Sequence, residues 1–208
     1  MPKKPFRFLD LPPEIREKIY ILISTSPTPY ILLNASTAHT TFPLNLLLTN
    51  AQIYHESRPL YFSTNAFSIS LNRHIEDWDY FLLPSFCDNR RQIRVLRLNI
   101  LRWGTKDFFA KKLLPVLEDC ILNGRLRDLE VRMRYTWVLR PLGGNESILR
   151  GLKSLLRDPY LERGVLMAGE VWSDGVYGEP LGRFEWVYDN DAEGTWRKIS
   201  DLDGKITV

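Results

Sequence analysis

Cysteine and histidine are scarce in this 208-residue chain, with two of the first and three of the second. Cys87 and Cys120 form no short-spaced pair, so neither a disulfide framework nor a cysteine zinc site is expected, and the usage suits a reducing compartment. His39, His55 and His74 are too separated for a zinc-ligand pair. No apolar run approaches the roughly 18 residues a membrane span needs, and Pro2-Lys3-Lys4 leads into Phe6-Arg7-Phe8 with no secretory apolar region behind it. The expectation is an intracellular chain, cytoplasmic or nuclear, whose Asn34-Ala35-Ser36 sequon stays unmodified.

Phosphate-loop and metal signatures are lacking too. Gly143-Gly144-Asn145 has neither the lysine nor the spacing of a phosphate loop and reads as a helix-capping turn. Asp189-x-Asp191-x-Glu193-Gly194 has the front half of a calcium loop, but Ser200 stands where the bidentate carboxylate belongs, so a solvated hairpin turn is expected. With no nucleophile in a recognisable elbow, the reading is a non-enzyme that uses no cofactor and no metal.

What is present is an ordinary globular composition, 44% hydrophobic and 25% charged, with enough apolar residues to bury a core. The net charge of +3 is unevenly laid out: residues 88–163 carry 17 Lys and Arg against 9 Asp and Glu, whereas residues 164–208 carry 4 against 9. A basic middle of this kind serves either an anionic partner or internal pairing. Arg90, Arg91, Arg94, Arg97, Arg102 and Trp103, with Arg132, Arg134, Tyr135 and Trp137, make RNA binding an alternative function. Strand alternation, however, divides Arg94 and Arg97 between opposite faces.

Periodicity gives an α/β fold. Leu11-Pro12-Pro13, with Asp10 as cap, opens a helix on which Ile15, Ile19 and Leu22 have the spacing of one buried face. Tyr30 to Leu33 is a short strand, Leu46 to about Phe62 a helix that Pro59 kinks or stops, and Asn65 to Leu71 a half-buried strand. Helices are then expected over 75–83, 107–123 and 146–157, and strands over 93–101, 126–137 and 165–172. Ile93-Arg94-Val95-Leu96-Arg97-Leu98 resembles Leu126-Arg127-Asp128-Leu129-Glu130-Val131, which suggests a small, largely parallel helix-strand array like a leucine-rich solenoid. A C-terminal β-hairpin is read from Arg183–Tyr188 and Thr195–Ile199. The division is a first segment over 1–71 and the array with its hairpin over 72–208, packed as one unit.

Glu14-Ile15-Arg16 and Glu56-Ser57-Arg58 are paired Glu-x-Arg motifs on the first two helices. Residues two apart on a helix diverge, so the pairs close only between helices, Glu14 with Arg58 and Arg16 with Glu56.

These motifs carry a resemblance. Phe8-Leu9-Asp10-Leu11-Pro12-Pro13-Glu14-Ile15-Arg16, followed by Gln52-Ile53-Tyr54-His55-Glu56-Ser57-Arg58-Pro59-Leu60-Tyr61-Phe62, resembles the F-box-like proteins of filamentous fungi, including those named for two Glu-x-Arg motifs. The resemblance covers about residues 6–71. It implies a substrate receptor of a cullin-RING (SCF-type) ubiquitin ligase, docked on a Skp-type adaptor through Leu11, Pro12, Ile15, Ile19 and Leu22, with the rest of the chain holding a protein substrate. The alternative to ligase association is a compact domain that does not bind the adaptor.

Overall fold

In the computed structural model the described residues are 7–33, 45, 48–71, 80–101, 108–134, 145–172, 181–189 and 196–198. The architecture is mixed α/β, built on a seven-stranded sheet whose spatial order follows the chain. The strands are β1 (Ile31–Leu32), β2 (Ala66–Leu71), β3 (Val95–Ile100), β4 (Asp128–Arg134), β5 (Arg163–Trp172), β6 (Leu181–Asp189) and β7 (Trp196–Lys198). β1 to β5 pair in parallel. The last two pairings, β5 with β6 and β6 with β7, are antiparallel. The sheet therefore crosses the expected boundary at residue 71 without interruption, and it departs from an all-parallel array after β5. Of the hairpin turn read over 189–194, residues 190–194 lie outside the described residues, as do Thr195, Ser200 and Gly143-Gly144.

The helices are α1 (Pro13–Ser24), α2 (Ala51–Thr64), α3 (Cys87–Gln92), α4 (Leu114–Leu122) and α5 (Asn145–Leu156). Several bounds differ from the sequence reading, each for a local reason. Asp10 belongs to a 3-10 turn, Phe8–Asp10, and α1 opens on Pro12 and Pro13 with no side-chain cap. Proline at a first turn forfeits no helical hydrogen bond, so none is missed there. α2 starts later than Leu46, where Asn50 accepts from the Gln52 N–H at 2.7 Å, and it runs through Pro59 to Thr64. The two residues that follow Pro59 most closely on the core side, Tyr61 and Phe62, are buried against Phe67, which offsets the hydrogen bond the proline removes. Charged α3 was not anticipated. α4 is entered through a π-helical turn, Phe109–Leu113, one residue short of Pro115, whose missing N–H leaves an i−4 carbonyl to be accommodated.

The core beneath the helices takes alternate strand residues: Ile31 from β1, Phe67, Ile69 and Leu71 from β2, Leu96, Leu98 and Ile100 from β3, Leu129, Val131 and Met133 from β4, and Leu166 from β5, a strand whose Val165, Met167 and Ala168 are buried as well. Against them pack Tyr61, Phe62, Leu113, Leu117, Ile121, Leu152 and Leu156, so these helices cover one face of the sheet. The opposite face carries the rows Ser68, Arg97, Glu130, Val165 and Ser70, Asn99, Arg132, Met167. The resemblance noted between two sequence stretches is a structural register, because Leu96 pairs with Leu129 and Leu98 with Val131. The loops entering the strands are laced together: Arg94 O accepts from Arg127 N at 3.0 Å, and Arg127 O from Glu162 N at 2.8 Å.

Candidate functional site

α1 inverts the usual amphipathic rule. Its buried residues are Arg16, Tyr20 and Ser24, one stripe at i, i+4 and i+8. Arg16, 7% exposed, donates through Nε and Nη2 to the two carboxylate oxygens of Glu56 on α2, at 2.9 and 2.7 Å. Its Nη1 donates to the main-chain oxygens of Leu9 and Leu11, at 3.2 and 2.6 Å, which ties the turn before the helix to its first residues. Tyr20 Oη and Gln52 Nε2 complete the shell around Glu56, at 2.9 and 2.8 Å. A planar guanidinium matched to a carboxylate fixes both distance and orientation of the helix pair.

The electrostatics follow from that shell. Hydrogen bonding from Arg16, aided by Gln52 and Tyr20 and opposed by burial, lowers the Glu56 carboxyl to about 2. Burial, then the hydrogen bond to Glu56, pushes the Tyr20 phenol up to about 12. The Arg16 guanidinium is raised, chiefly by its bond to Glu56. At the other end of the pair, buried Asn65 donates to Ser24 O and Tyr61 O and accepts from Ser26 N, each at 2.8 Å.

With the polar stripe inward, the apolar one faces out. Ile15 is 41% exposed, Leu22 80% and Ile23 51%. Pro12 is exposed, and Leu11 and Ile19 are half-buried. The expectation that Ile15, Ile19 and Leu22 line an internally buried face is thereby corrected: α2 presents Glu56 to α1, and the stripe able to satisfy that carboxylate is the one that turns inward.

Of the two cross-pairs expected between the Glu-x-Arg motifs, Arg16 with Glu56 is made and Glu14 with Arg58 is not. Glu14 is exposed. Arg58 lies over the Tyr54 ring, 5.3 Å from its centroid, and donates from Nε to Asn89 on α3. The signal missed in the sequence was Asn89, a neutral acceptor on a helix that was itself not foreseen.

Farther along the sheet, much of the basic segment is paired internally. Glu130 accepts from Arg97 at 3.0 Å and also from Arg132, while Arg163 reaches Asp128 at 3.1 Å. The Arg97 guanidinium lies 3.4 Å from the centroid of the Tyr30 ring. Arg91 is bidentate with Asp119, at 3.0 and 2.7 Å, and Arg94 meets Glu162 at 3.1 Å. A continuous free basic stripe is therefore absent from the described part of residues 88–163; Arg102, Trp103, Tyr135 and Trp137 lie outside it. Among the described residues no group of three or more His, Cys, Asp and Glu side chains is placed to hold a metal ion. No described helix is long and apolar enough to cross a membrane. Compared with family models, curated proteins and solved structures, the chain matches none.

Proposed function

We propose that this chain is a non-catalytic protein-interaction module that offers the outer face of α1 to a protein partner. Its leading specific form is a substrate receptor, docked on the Skp-type adaptor of a cullin-RING ubiquitin ligase. The observation that carries the reading is the inversion of α1: Ile15, Leu22 and Ile23 stay in water while Arg16 is buried, 7% exposed. Solvating apolar side chains gains nothing for folding, whereas covering each by a partner contributes about 1.5–3 kcal/mol. The resemblance of residues 6–71 to F-box-like segments supplies the partner's identity in this proposal. Capture of purified Skp-type adaptor by the full chain tests it. Leu22→Glu should abolish capture and leave the unfolding transition unmoved. Equal capture by native and variant chains, or none by the native chain, would overturn it.

A further inference from the structure

A second feature lies between α2 and α3, apart from the outer face of α1. His55, Arg58, Pro59, Asp88, Asn89 and Gln92 line a cleft of about 100 Å³. That volume is about three times the roughly 30 Å³ that one molecule occupies in liquid water, so only a small solute fits. The Arg58 guanidinium is held in place by Asn89 and by the Tyr54 ring, so little side-chain freedom is left to lose on binding. Asp88, exposed, lines the same cleft. Neither Arg58 nor Asp88 has an ion-pair partner among the described residues, so two opposite charges share one small cleft without neutralising each other. The amide oxygen of Gln92 is buried with no hydrogen-bond partner. Pro59 also has no N–H to offer the His55 carbonyl one turn back.

We propose that this cleft binds a small zwitterion of the α-amino-acid class, the carboxylate held by Arg58 and the ammonium group by Asp88. A simple anion leaves Asp88 facing like charge, and a simple cation leaves Arg58 so placed. Only a solute bearing both groups matches both.

Nuclear magnetic resonance of the full chain provides the test, with glycine as probe and acetate and methylammonium as single-charge controls. Glycine should shift the side-chain amide signals of Asn89 and Gln92, and the two controls should bind at least about tenfold more weakly. Arg58→Gln and Asp88→Asn should each weaken glycine binding by at least about tenfold; the exposed position of Asp88 keeps the second variant folded. Absence of glycine binding, acetate binding as tightly as glycine, or unchanged affinity in Asp88→Asn would each overturn the proposal. Because the readout is confined to the cleft, the result is independent of whether α1 captures an adaptor.

Discussion

Acid should loosen the α1–α2 pair through one carboxyl. Glu56 accepts from Arg16 twice, from Tyr20 and from Gln52, and its pKa falls from 4.5 to about 2. A group depressed on folding contributes stability that is complete above its unfolded value and is lost as pH falls through the folded one, so the window runs from about 4.5 down to about 2. The Glu56 side chain keeps 30% of its accessibility, and water screens part of the interaction. Losing hydrogen bonds to a charged group costs about 1.5–3 kcal/mol; with that screening, Glu56→Gln should cost about 1–2 kcal/mol at neutral pH. In a domain of this size that lowers Tm by about 2–8 °C. Urea unfolding of native and variant chains at about pH 7 and about pH 3 provides the assay. The difference between the two chains should shrink at the lower pH, because protonation has by then removed part of what the substitution removes. A difference that is unchanged between the two conditions would refute the argument.

Three further outcomes follow from the helix layer and the sheet's buried polar face. Leu117→Ala, at a fully buried site in the core, should cost about 2–5 kcal/mol in denaturant unfolding, and Gly164→Ala should also destabilise, because a Cβ there collides with the Leu156 main-chain oxygen. Glu130→Gln leaves the Arg97 and Arg132 guanidinium groups without their shared carboxylate and should cost about 3–5 kcal/mol, read as a lower midpoint in the same assay.

Much of the fold was legible because its signals are local. The alternation of Leu96, Leu98 and Ile100, repeated by Leu129, Val131 and Met133, specifies strands with one core face. The same alternation leaves Arg97 and Glu130 on the other. α3 was illegible because Cys87–Gln92 is short and mostly polar, and nothing in its period marks a buried side. The orientation of α1 was misread for a different reason. Hydrophobic spacing locates an apolar stripe but does not say whether this chain or another molecule covers it, and Arg16, Tyr20 and Ser24 lie inward only because Glu56 and Asn65 sit opposite them. One cross-pair of the Glu-x-Arg motifs followed from inter-helix geometry. The other depended on Asn89, which lies on an element the sequence did not reveal.

On the proposed function, the apolar face of α1 stands in water until a partner covers it. Methyl resonances of Ile15, Leu22 and Ile23, read in the presence of a soluble paramagnetic agent with and without purified Skp-type adaptor, test it most directly. The Leu22 and Ile23 methyls should broaden strongly in the free chain and buried Leu117 little, and the α1 methyls should be protected once adaptor is added. Methyls on α1 as protected as Leu117 in the free chain would contradict the exposed face, and continued broadening at saturating adaptor would contradict the docking.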